Sequence, residues 1–250
     1  MSAPLAADGR AVVVAVDHPL YSWPCAGLED RASTIRAVVE AGADAIIAAY
    51  GTVRDARDAF GGAAPILKLD VTTVTVGGDY PLTEYVPAYT VDDALRVGAA
   101  AVLTFVQLGA AFELDALRWA GQVAAASDRA GVPYVCEIMP VESSRFPDPY
   151  DPVAIAAATR TAVELGARVV KTSMPTPPDA VAEAAAFGVP VILAGGDLTS
   201  DRDSLFGAVS AAMGSGASGV AFGRNVWGAA DPAGTVSELA RIVHRPTSSA

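Results

Sequence analysis

AVVVAVDHPLYSWP, residues 11–24, is the stretch on which the fold turns. A β-branched apolar run stops abruptly at Asp17-His18 and gives way to a loop rich in proline and aromatic residues. Val-rich runs of this length read as strands buried on both faces, the pattern of a parallel sheet. Two architectures begin that way. An open doubly wound sheet carries a G-x-G-x-x-G turn directly after its first strand. DHPLYSWP holds no such turn, which favours the closed (β/α)8 barrel.

Working outward, seven further apolar runs follow: ADAIIAAY (43–50), PILKLDV (65–71), AAAVLTFV (99–106), VPYVCEIM (132–139), ARVVKTS (167–173), VPVILAG (189–195) and SGVAFG (218–223). Most are separated by Ala-rich amphipathic segments of helical length, such as TVDDALRVG, DALRWAGQVAAASDRAG and DRDSLFGAVSAAMGSG. Several of these end in Gly, a common helix stop. Strands alternating with helices predict right-handed βαβ units. Eight units in 250 residues predict one TIM-barrel domain over 1–250, with a core at about 11–243 and a frayed RPTSSA tail. GGDYPLTEY (77–85) reads as a longer loop on the active face.

Composition narrows the function. The chain is 52% hydrophobic and 18% charged, with a formal net charge of -11. That balance argues against nucleic acid or an anionic membrane surface as partner. Cys25 and Cys136 lie at no metal-ligand spacing, and His18 and His244 are the two histidines, so neither a zinc site nor a disulfide framework is expected. No basic start precedes a long apolar run, and no run spans a membrane; a cytoplasmic location is expected.

In a barrel the chemistry gathers at the C-terminal strand ends. There the chain places Asp17 and His18 (first strand), Lys68 and Asp70 (third), Glu137 (fifth), Lys171 (sixth), Gly195-Gly196-Asp197 (seventh) and Gly223-Arg224-Asn225 (eighth). Alternation puts Lys68 and Asp70 on one face and Leu67, Leu69 and Val71 on the other, which would meet the helices. Both faces of the sixth strand are apolar, so alternation does not orient Lys171. AGGD and FGRN suit a phosphate cradle: glycines open backbone N–H groups to an anion and Arg224 adds a charge. Lys171 carries two readings. It is either a structural cation paired with Glu137 on the next strand, or an amine that attacks a ketone to form an imine.

Taken together, AVDHP, LKLDVTT, YTVDDALRVGAAAV, EIMP, VVKTSMP, LAGGD and GVAFGRNVW resemble the DeoC/LacD-type class I aldolases, most closely the archaeal-type fructose-bisphosphate aldolases and their paralogs. The resemblance runs from about residue 11 to 243. It implies a Schiff base at Lys171, an orienting role for Asp17, and phosphate held by Gly195, Gly196, Gly223 and Arg224. His18 and Lys68 are further candidates for substrate contact. A small phosphorylated substrate, no cofactor, no metal and a homo-oligomer follow as expectations.

One departure stands out. The archaeal-type enzymes carry a proton-transferring tyrosine in Tyr-Pro-Arg-Gly after strand five, where this chain has Met139-Pro140-Val141. Glu137, two residues earlier on the same face, is the expected acid/base instead, as in the Glu-Ile of the tagatose-bisphosphate branch. Two rival readings remain: an imine-dependent acyl transferase or dehydratase, and a catalytically silent barrel that binds a phosphorylated ligand.

Overall fold

The computed structural model describes residues 6–73, 75–76 and 84–245. Eight strands form the barrel: β1 (Ala11–Ala15), β2 (Ala45–Ala48), β3 (Ala64–Lys68), β4 (Ala101–Leu108), β5 (Tyr134–Pro140), β6 (Val169–Ser173), β7 (Val191–Ala194) and β8 (Gly219–Phe222). All neighbours are parallel, and β8 pairs with β1 to close the barrel. Closure removes the sheet edges that an open array would expose.

The helices are α1 (Arg31–Glu40), α2 (Tyr50–Asp55), α3 (Val91–Val97), α4 (Glu113–Ala130), α5 (Pro152–Glu164), α6 (Ala182–Ala185), α7 (Arg202–Gly214), α8 (Arg224–Trp227) and α9 (Pro232–Val243). Asp30, Asp151, Asp201 and Asp231 cap α1, α5, α7 and α9 by accepting backbone N–H groups, so part of the acidic excess holds helix starts. Thr90 and Asp93 form a reciprocal capping box on α3. The segment DAVAEAAAFG is less helical than its composition predicts: a 3-10 turn, Pro178–Val181, leads into the short α6. The third apolar run also breaks. β3 stops at Lys68, and Asp70–Thr72 leaves the barrel to pair antiparallel with Tyr85–Pro87. Residues 77–83 of the expected active-face loop, and 246–250 of the tail, lie outside the described residues.

Two apolar layers form. Val12, Val14, Ile46, Leu67, Leu69, Val102, Ile138, Val170, Leu193 and Val220 point outward into the helices. Val13, Ile47, Ile66, Leu103, Val135, Val169, Ile192 and Ala221 fill the barrel. This inner layer closes the barrel from below, so the polar residues above it share one end. Among the described residues no helix is long and apolar enough to cross a membrane.

At the opposite end, His244 clips the termini together. Its Nδ1 lies 2.8 Å from Asp8 and its Nε2 3.0 Å from Asp44. Partial burial disfavours the imidazolium, but the two carboxylates outweigh this and raise the pKa. A raised folded pKa stabilises fully below the unfolded value, and the benefit is lost as pH rises through the folded one. His244→Gln is therefore expected to lower Tm most at mildly acidic pH. The gap from wild type should close toward alkaline pH in a pH series of thermal melts.

Candidate active site

The period of two carries each inner strand past its apolar plug to a cavity-lining residue. Val13 leads to Ala15 and Asp17; Leu103 to Phe105 and Gln107; Val135 to Glu137 and Met139; Val169 to Lys171 and Ser173; Ala221 to Gly223. These side chains surround a cavity of about 560 Å³ at the C-terminal mouth. Structure thus orients Lys171 where sequence did not: Val169 points inward, so Lys171 does too.

Lys171 and Glu137 stand opposite one another in the β5–β6 register, with Nζ 2.6 Å from Oε1. Both are buried, at 5% and 6% exposure, yet both line the cavity. Ion pairs taken from water recover their desolvation cost only with close geometry, which this pair has. A second pair lies deeper. Lys68 Nζ is 2.7 Å from Asp70 and sits over the rings of Phe105 and Tyr21 at 4.8 and 5.4 Å. Asp70 also accepts from the Phe105 amide (2.6 Å) and the Tyr85 hydroxyl (2.7 Å). Burial disfavours the Lys68 ammonium, but Asp70, Glu137 and Asp17 outweigh that and raise its pKa. Lys68 is 0% exposed and lies off the cavity wall. Asp70 and the two rings enclose its charge.

Asp17 follows β1 and is nearly fully buried. Its Oδ2 accepts from the Tyr21 hydroxyl at 2.5 Å. Burial alone would raise the Asp17 pKa; Lys171, Lys68, His18 and the Tyr21 bond together bring it below its usual value. Tyr21 is correspondingly held as a neutral phenol by burial and by Asp17 and Glu137. His18 is pushed down to about 4, chiefly by burial and further by the charges of Arg224, Lys171 and Lys68, against the pull of Asp17. Its ring meets Tyr21 and Trp227 edge-on, so at neutral pH it is an uncharged wall residue.

The loops after β7 and β8 are locked together by buried Asn225. Its Nδ2 donates to the carbonyls of Gly195 and Asp197, both at 2.8 Å, and its Oδ1 accepts from Thr199 N. Gly195 and Gly223 have steric reasons beside any role toward a ligand. A Cβ on Gly195 would fall 2.8 Å from the Phe222 ring, and one on Gly223 would fall 2.9 Å from His18. Gly196 has φ +67, a conformation costly for other residues. Arg224 donates to Asp197 at 2.5 Å, whose side chain is 90% exposed. Asp197 therefore pairs with Arg224 and does not cap the next helix, a role taken by Asp201. Trp227 reaches back to β1, its indole N–H donating to Ala15 O at 3.0 Å.

The cavity thus gathers Asp17, His18, Glu137, Lys171, Gly195, Gly196, Gly223 and Arg224. Tyr21 belongs to the aromatic loop after the first strand, and its bond to Asp17 depends on how that loop folds. Phe105 and Gln107 were legible through alternation from Leu103, whereas Tyr150 and Met174 arrive on loops. Among the described residues no group of three or more His, Cys, Asp or Glu could hold a metal ion.

A barrel with a buried lysine–carboxylate pair at its mouth is the architecture of lysine-dependent aldolases. The family model of the DeoC/LacD family aldolases matches residues 11–229, and the chain belongs to that family. It is an enzyme of the aldolase type. It is 34% identical over 96% of its length to 2-amino-3,7-dideoxy-D-threo-hept-6-ulosonate synthase of Halobacterium salinarum, covering 89% of that protein. It is 32% identical to 2-amino-4,5-dihydroxy-6-oxo-7-(phosphonooxy)heptanoate synthase of Streptomyces griseus, covering 94% of this chain and 85% of the other. Among solved structures, an archaeal fructose-1,6-bisphosphate aldolase with its catalytic lysine bound to a carbinolamine intermediate superposes with a TM-score of 0.84. There the identity is 27%, over 96% of each chain.

Tyr21→Phe removes the donor from a buried carboxylate without changing the ring. A loss of about 1.5–3 kcal/mol is expected at neutral pH, read by denaturant unfolding. A carboxylate with a depressed folded pKa stabilises above its unfolded value and loses that benefit as pH falls through the folded one. The difference between wild type and variant is therefore expected to narrow in acid.

Proposed function

We propose that the protein is a class I aldolase in which Lys171 forms a Schiff base with a small phosphorylated ketone or ketose, and the resulting enamine makes or breaks a C–C bond. The observation that carries this reading is the Lys171–Glu137 pair, 2.6 Å apart, buried yet open to the cavity. A structural pair alone has no need to face a cavity; a nucleophile and its proton partner do.

The chemistry follows from that pair. The Lys171 ammonium passes a proton to the Glu137 carboxylate, and the neutral amine adds to the ketone carbon. The carbinolamine hydroxyl leaves as water, taking the proton from Glu137, and an iminium remains. The Glu137 carboxylate or a bound water then removes a proton from the adjacent carbon. The enamine adds to the aldehyde carbon, whose oxygen takes up a proton, and water releases the product from Lys171. The reverse sequence cleaves the bond. Asp17, held as a carboxylate by Tyr21 and the two lysines, orients substrate hydroxyls. Arg224 and the backbone at Gly195, Gly196 and Gly223 hold the phosphate, and uncharged His18 packs beside it.

The synthases named above support the bond-forming direction. A homo-oligomer in the cytoplasm completes the proposal; the family resemblance supports the first, and two buried free cysteines suit a reducing compartment.

Lysine occurs only at 68 and 171, so covalent trapping gives an unambiguous map. Borohydride reduction with dihydroxyacetone phosphate, pyruvate or a simple ketose phosphate is expected to add mass at Lys171, and Lys171→Met to lose it. An adduct at Lys68 would overturn the assignment. Glu137→Gln is expected to lower turnover by about 10²–10⁴-fold. Full turnover in that variant would refute its acid/base role.

A further inference from the structure

The 15 arginines and two lysines of this chain can be placed individually, and the undescribed segments contain no Lys, Arg or His. Among the described residues, Arg224 and Lys171 are the Lys or Arg side chains on the cavity wall. Lys68 is sealed beneath the floor. Arg145, on the loop after β5, is turned to Glu113, which also accepts from the Gly109 amide. Arg202 is turned away as well, donating to Asn225 O and Thr235. His18 is neutral at working pH.

These charges are distributed unevenly around the ring. Arg224 follows β8, Lys171 stands on β6, and β7 lies between them. Beyond Lys171 the wall turns neutral: Met139 on β5, Phe105 and Gln107 on β4, with Met174 and Tyr150 closing from loops. The other charges facing this half are the carboxylates of Glu137 and Asp17. An anionic group placed there would give up hydration, gain no cation and meet two like charges.

We infer that the site selects a singly phosphorylated substrate: one phosphate at the Arg224 end, and an uncharged, partly apolar carbon chain at the Met139 end. Bisphosphates are rejected. Discrimination of this kind comes from the missing cation and the facing carboxylates as much as from any favourable contact. The inference rests on the reading of Arg224 as the phosphate anchor and of Lys171 as the imine lysine.

Calorimetric titration tests it with hexitol 1-phosphate and hexitol 1,6-bisphosphate at one pH and ionic strength. Both are acyclic and neither can form an imine, so the result does not depend on the chemistry at Lys171. The monophosphate is expected to bind at least about tenfold more tightly, a gap of about 1.4 kcal/mol, and Arg224→Gln to abolish its binding. Met139→Arg supplies the absent cation and is expected to move the ratio toward the bisphosphate by at least about tenfold. Equal or tighter binding of the bisphosphate by the wild type, or binding of neither hexitol, overturns the inference. Borohydride trapping of dihydroxyacetone phosphate separates the two readings. An adduct at Lys171 without monophosphate preference sinks this inference alone; monophosphate preference without an adduct sinks the Schiff-base reading alone.

Discussion

The whole site depends on keeping two ammonium groups in the middle of an apolar barrel. Lys68 and Lys171 are the chain's two lysines, and each stands against a carboxylate at 2.6–2.7 Å. Removing one partner from such a pair would leave a buried charge uncompensated, at a cost of about 3–5 kcal/mol. The two pairs sit in different surroundings. Asp70 spends its remaining capacity on Phe105 N and Tyr85, and Lys68 is covered by rings, so that pair is closed. Lys171 and Glu137 open on the cavity. Proximity also couples the pairs: Lys68 and Lys171 together hold Asp17 ionised against its own burial.

Around this centre the loops are held by a few directed bonds. Asn225 binds the carbonyls of the β7 loop, Trp227 binds the end of β1, and Tyr21 binds Asp17. The three strands β1, β8 and β7 are thereby fixed as one wall. Preorganisation of this kind means that little has to be ordered when a ligand arrives. The opposite wall is built from Met139, Phe105 and loop residues, and two of its members are adaptable methionines.

Most of the fold was legible because it rests on local patterns. Eight apolar runs of strand length, glycine helix stops and a first turn without G-x-G-x-x-G point to one closed barrel. The strand-end positions of Asp17, Glu137 and Lys171 could be read in the same way, since the barrel geometry sends strand ends to one face. Residue type alone does not fix a side chain's partner. Asp197 resembles a helix cap, but Asp201 sits at the start of α7 and Arg224 competes for Asp197. Trp227 is a buried core residue clustered with side chains of the last helix, and its indole N–H also finds an acceptor in Ala15 O. Gly195 and Gly223 resemble phosphate-loop glycines, and each also faces a ring too close to admit a Cβ.

The sequence by itself determined the barrel and its polar end, because both follow from the periodicity and the end position of single strands, and it left Lys171 unoriented. Only the tertiary structure decided which lysine opens on the cavity, which phenol holds Asp17 and where the cavity has no cation. Those properties depend on the distance between residues far apart in the chain, and on what covers each charge. Lys68 and Lys171 are alike in local sequence, each near the end of an apolar strand. Rings from the first loop and from β4 cover one, and the second is left uncovered. Burial by non-neighbouring side chains sets the energy of a charge, and no local pattern encodes it.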